Sequence, residues 1–194
     1  MKKRTVITAI ITLLAILGVL AFSLSNTRNP FKQYEVGDVV DSLNGVKVYY
    51  NGSISNVSGR NVKNGYNIGK KYQCVEFVKR YYYEHLNHKM PDSYGHAKDF
   101  YNPAVADGEL NKQRNLLQYT NGSVSKPKPD DLLVMGGGTH GHVVIVSQVF
   151  SSEIEIVQQN PGPYVSSRDR IGLAYKNGKW YVNSSRVLGW LRKE

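Results

Sequence analysis

One cysteine, Cys74, stands in a chain of 194 residues, so no disulfide can form within it and no cysteine-rich zinc ribbon or knuckle is possible. The fold must be held by its core. Acidic residues are sparse, 15 Asp plus Glu against 25 Lys plus Arg, and the formal charge is +10. That balance suits an anionic neighbour, whether nucleic acid, membrane headgroups or an acidic wall polymer, as well as plain solubilisation. Charged residues are 21% and hydrophobic residues 41%, too little charge and too much packable surface for a disordered chain. At ~100 to 200 residues per domain, the length holds one compact domain and leaves no room for a multidomain enzyme. Internal repeats and low-complexity tracts are absent.

Met1-Lys2-Lys3-Arg4 precedes an uncharged apolar run from Val6 to Leu24. A spanning helix needs ~17 to 25 apolar residues and the apolar part of a cleavable signal ~7 to 15, so an uncleaved anchor is expected. The basic cluster stays cytoplasmic, which sends the rest of the chain outside. Ala21-Phe22-Ser23 is a weak cleavage site, and cleavage there would make the protein secreted. Residues 1–26 are therefore assigned as the anchor or signal segment, 27–33 as a linker and 34–194 as the domain. The domain is still basic without Lys2, Lys3 and Arg4, yet Lys126 and Lys128 make its one basic cluster, which is not the footprint of a nucleic-acid binder.

From Tyr34 to Tyr66, turn residues surround short β-rich pieces such as Gly45 to Gly52, which reads as hairpins or loops. Tyr72 to His85 has no Gly or Pro and sets Cys74, Phe77, Val78, Tyr81 and His85 on one face at a period of 3.6, which predicts a helix. A shorter helix is predicted over Ser93 to Tyr101, between the start signal Pro91-Asp92-Ser93 and Pro103. Strands are predicted at Leu132 to Met135, His142 to Val149 and Glu153 to Asn160, at a hairpin around Asn177-Gly178, and at Val187 to Leu191. Pairing Val144 with Ile156 and Val146 with Ile154 puts four β-branched residues on one buried face. His142 then lies opposite Gln158, with Asn160 one diagonal step away.

Cys74 begins the predicted helix after Gly69-Lys70-Lys71, where unpaired N–H groups and the helix dipole favour a thiolate. Acyl transfer also needs a base and donors for the oxyanion. Of the five histidines, His85 and His88 lie at the far end of that helix, roughly 16 Å from the thiol. His96 suits a helix surface or pocket wall, and His140 sits in a glycine-rich loop. His142 opens a rigid strand, with Gln158 or Asn160 to fix its tautomer, and so meets the logic of a nucleophile, a base and an orienting group. His140 and His142 could share a metal, but no Asp or Glu cluster joins them, and no metal or cofactor is expected.

Gly65 to Tyr82 (GYNIGKKYQCVEFVKRYY), Lys126 to Val134 (KPKPDDLLV), Gly141 to Val146 (GHVVIV) and Glu155 to Asn160 (EIVQQN) together resemble the CHAP domains, cysteine/histidine-dependent amidohydrolases and peptidases of papain-like type. Ser58 to Arg60 and Arg186 to Leu191 extend the likeness to the amidase half of glutathionylspermidine synthetase/amidase. The resemblance covers Val46 to Leu191. It implies an α+β domain in which a helix bearing nucleophilic Cys74 packs on an antiparallel sheet bearing the base His142, with Gln73 and the Cys74 backbone N–H near the oxyanion. In the third position this chain has Gln158 where the relatives have Glu, so an amide orients the histidine without adding charge. The expected activity is hydrolysis of an amide through a thioester by a monomer. The expected substrate is a peptidoglycan peptide amide outside the cytoplasmic membrane. A glutathionyl-polyamine amide is the alternative, and a catalytically weak wall-binding or regulatory module is the other.

Overall fold

The computed structural model describes residues 34–91, 95–162 and 165–194. Two hairpins open the domain, β1 (Val39–Leu43) with β2 (Val46–Tyr49) and β3 (Arg60–Lys63) with β4 (Tyr66–Lys70). Helix α1 (Cys74–Glu84) follows, then a 3-10 turn at Ala97–Phe100. The remaining strands are β5 (Leu110–Asn111), β6 (Leu116–Thr120), β7 (Leu132–Met135), β8 (His142–Val149), β9 (Glu153–Val157), β10 (Arg168–Lys176), β11 (Lys179–Val182) and β12 (Val187–Arg192). They form one antiparallel sheet in the order β11-β10-β9-β8-β7-β12-β6-β5. The α+β class is as the sequence predicts.

Both faces of the central strands are buried, which explains the unbroken run Val143-Val144-Ile145-Val146. Val143 and Ile145 pack with Phe77, Val78 and Tyr81 of α1, while Val144 and Val146 join Ile154, Ile156, Leu173 and Trp190 on the other face. That second face is enclosed because the sheet curls: Trp180 of β11 exchanges backbone hydrogen bonds with the Gly122-Ser123 segment that follows β6. Helix α1 is wrapped by β2, β4 and β8. Glu76, Lys79, Arg80 and Tyr82 are therefore buried along with the apolar face read from the sequence.

Two local readings differ from the structure. Only the 3-10 turn occupies the place of the helix predicted over Ser93 to Tyr101, because Gly95 at φ +111° cannot continue an α-helix; residues 92–94 lie outside the described residues. The β8–β9 register is displaced by two, with Val146 facing Ile156 and Ile145 facing Val157. The turn sits later than Phe150, since Val149 still pairs with Ile154, and a bulge then sets Ser147 and Gln148 against Glu155 alone. On the His142 side of the bulge the displacement is even and keeps side chains on their faces, the bulge takes up the one further residue toward the turn, and the four predicted β-branched residues still share one core. It makes Gln158 the diagonal neighbour of His142.

Among the described residues no helix is long and apolar enough to cross a membrane, and the anchor read at Val6 to Leu24 lies outside them. The same residues contain no group of three potential metal ligands.

Candidate active site

Cys74 is the first residue of α1, and the chain reaches it through a strained step: Tyr72 has φ +66°, unusual for a bulky side chain. Backbone N–H groups of Cys74, Val75 and, from β8, Val143 all point at the sulfur. The Val143 contact brings the nucleophile candidate against the residue next to His142. The cysteine is partly buried as a residue, and its sulfur is crowded by protein atoms. Burial pushes the Cys74 thiol pKa up, outweighing the three N–H groups that pull it down. The thiolate expected from the helix start is thus not the resting form, because desolvation exceeds the dipole.

His142 donates from Nε2 to Gln158 Oε1 at 3.0 Å. The direction of this bond follows from Gln158 itself, whose Nε2 donates to Ser166 O at 3.0 Å and so leaves only the oxygen toward the ring. Nδ1 is then the unprotonated nitrogen. Burial, with Arg186 adding to it, lowers the His142 pKa to about 4, against the raising effect of Gln158. Burial thus favours a neutral thiol and a neutral imidazole, and an uncharged third residue supplies no carboxylate to oppose it.

The remaining predicted residues form a second set. Gln73 spends its amide hydrogens on Ile54 O at 3.1 Å and Asn56 O at 2.7 Å. Asn160 leaves its strand at φ +55° and donates to Gln73 Oε1 at 2.8 Å and Ile54 O at 3.1 Å. It is bonded to Gln73 and not to His142. Together the two side chains pin the 51–58 loop beside the start of α1. His96 and His140, placed apart in the sequence reading, meet with Nδ1 atoms 2.9 Å from each other.

Gln159 is the residue that sequence reasoning missed. Fully buried, it donates to Gln73 O and Glu76 Oε2, both at 3.0 Å, and accepts from Tyr49 N at 2.8 Å. Glu76 also takes Arg80 Nε at 2.7 Å and Asn61 Nδ2 at 2.8 Å. This buried lattice ties the segment just after β9, which carries Gln158, to the residue before Cys74. Its signal was alternation, because Gln158 and Gln159 must face opposite ways. Two cavities, of about 470 and 440 Å³, are lined by neither Cys74 nor His142.

Comparison with known proteins identifies a family. The CHAP domain family matches residues 61–160, which include Cys74, His142 and Gln158. Trypanothione synthetase of Crithidia fasciculata is 29% identical over 136 residues, 63% of this chain and 21% of that protein. The bifunctional glutathionylspermidine synthetase/amidase of Escherichia coli (strain K12) is 27% identical over 138 residues, covering 64% and 22% respectively, and its Shigella flexneri counterpart gives the same figures. The chain spans about a fifth of the length of these curated relatives. With a cysteine at a helix start, a histidine at the head of the facing strand and a family match over more than half its length, the chain belongs to the CHAP domain family of cysteine/histidine-dependent amidohydrolases.

Proposed function

We propose that this chain cleaves an amide bond through a thioester on Cys74, and the observation that carries the reading is the bond from His142 to Gln158 beside the buried thiol. His142 Nδ1 takes the thiol proton as sulfur attacks the carbonyl carbon. The oxyanion is held at the start of α1, where the Cys74 N–H is free of the helix ladder. The C–N bond breaks as the imidazolium returns the proton to the leaving amine. Water, deprotonated by His142, then attacks the thioester and releases the acid and the thiol. Gln73, with both amide hydrogens bound to the 51–58 loop, serves as a positioning residue.

The substrate we favour is a peptide amide of peptidoglycan, met on the outer side of the cytoplasmic membrane by a single-pass protein anchored through Val6 to Leu24. The basic composition and the uncharged segment support it. A glutathionyl-polyamine amide is the second reading, favoured by the likeness to the bifunctional glutathionylspermidine synthetase/amidase of E. coli. Mass spectrometry of products from wall digests and, separately, from glutathionylspermidine tests both, alongside membrane fractionation of the full chain. Release of new peptide ends from wall material alone is the expected result. Product from glutathionylspermidine alone replaces the first reading with the second, and no product from either leaves the non-catalytic module.

The neutral resting pair predicts the pH profile. Activity requires unprotonated His142, so the acid limb of kcat/KM should fall near pH 4, below the ordinary histidine range. Gln158→Ala should lower kcat roughly 10- to 100-fold with little change in KM, since orientation matters most in the transition state. Gln158→Glu adds a charge that favours the imidazolium, which should move the acid limb upward and keep activity at or above wild type. Asn160→Ala should cost less than Gln158→Ala. A silent Gln158→Ala would remove this residue from the mechanism.

A further inference from the structure

Arg186 is a strongly basic side chain that the strand register delivers to the His142 end of the sheet. Val187 of β12 pairs with Met135 of β7, and Met135 pairs with His142 of β8, so the three lie in one row. Arg186 sits one residue outside that row, opposite Gly136, whose N–H donates to its carbonyl at 2.7 Å. Its side chain lies across the end of β7. Nε donates to Gly136 O at 3.2 Å, and a Cβ on Gly137 would come within 3.3 Å of the same nitrogen. Gly136-Gly137 is thus a berth for the arginine stem, made by the absence of side chains. The row of paired residues thus sets the arginine at the end of β7, next to the strand that His142 opens, and its charge adds to the effects that lower the His142 pKa.

The fork itself is free. Among the described residues, the two terminal nitrogens of Arg186 have no hydrogen-bond or ion-pair partner, and the side chain is exposed. The other arginines near the β8–β9 hairpin are committed: Arg168 to Asp41 and Glu155, Arg170 to Glu153. The carboxylate at this end, Asp99, is turned to the His96 N–H. A planar cation with two unused donors, held by its Nε on a rigid strand end, is built to take a carboxylate in the bidentate manner.

We propose that Arg186 anchors a free carboxylate of the substrate beside Cys74 and His142, so that the amide cut belongs to an acidic molecule such as a peptide with an unblocked acid group. The identity of the substrate rests on the amidase reading above, whereas the anion site does not. Arg186 is a specificity residue that holds the acid group and takes no part in proton transfer.

The test uses the lone thiol of the full chain, which makes labelling unambiguous. Iodoacetate and iodoacetamide differ in little more than a carboxylate, and the ratio of their alkylation rates at Cys74 cancels any change in thiolate population. Relative to the ratio for the unfolded chain in denaturant, folded wild type should favour iodoacetate. Arg186→Met should lower the ratio roughly 10-fold, and Arg186→Lys less, since a point charge replaces the fork. With a hydrolysed substrate in hand, Arg186→Met should raise KM for its carboxylate form and leave KM for its amidated form unchanged. An alkylation ratio equal in wild type and Arg186→Met overturns the proposal, whether or not any amide is hydrolysed. Absence of hydrolysis with an intact ratio sinks the amidase reading alone.

Discussion

Replacing Cys74 with alanine is expected to lower hydrolysis by roughly 10,000-fold or more, because no other group in the chain can form the thioester. The loss falls on kcat. His142→Ala should come close to it, since a thiol that stays protonated at neutral pH needs a base at the moment of attack. The double variant should be little worse than either single one, as groups acting in one step are not additive. Thermal midpoints of both variants should stay within a few degrees of wild type, since neither side chain belongs to the sealed part of the core. Measured turnover within tenfold of wild type for Cys74→Ala would falsify covalent catalysis by this residue.

The second large effect is on stability. Glu76 and Arg80 are 2% and 4% exposed, and the Glu76 carboxylate accepts from Arg80, Asn61 and Gln159 at once. Glu76→Ala strands the Arg80 charge and two amide donors in the interior, which should cost about 3 to 5 kcal/mol. For a domain of this size that corresponds to a fall of about 10 °C in Tm. Arg80→Met should cost a similar amount, and the Glu76→Ala/Arg80→Met pair less than the sum, because no unpaired ion remains. Denaturant melts of the three variants would show it; a cost below about 1 kcal/mol for Glu76→Ala would mean that water reaches the pair. Activity should fall alongside, as Gln159 loses the partner that holds it under the Gln73 carbonyl.

Helix α1 was legible because fourteen residues without Gly or Pro repeat their apolar members at 3.6, a signal strong enough to survive any tertiary context. Its burial on nearly all sides was not legible. Charges at Glu76, Lys79 and Arg80 look like a solvated face until their partners arrive from Asn61, Asn67 and Gln159, which are distant in sequence. Cys74 and His142 could be singled out by chemistry and by their places at the starts of elements. Which amide serves which of them could not. A turn displaced past Phe150 and a bulge at Ser147 leave no mark in an apolar alternation, yet together they decide that Gln158 meets His142 diagonally while Asn160 turns to Gln73. Gly95 carries the opposite lesson, since one glycine at positive φ overrode a start signal and a stop signal that were both present.

The curl of the sheet has a consequence for how the protein behaves at high concentration. Sheet edges with long rows of unpaired N–H and C=O groups recruit other chains into continuous ribbons. Here one terminal strand, β11, is met at Trp180 by the Gly122-Ser123 backbone, and the other, β5, is two residues long. Lys179 stands at the start of β11 as a further deterrent to a flat approach. Neither margin offers a template of useful length. The eight-stranded sheet therefore carries its own protection against edge-to-edge aggregation at both margins, without a disulfide.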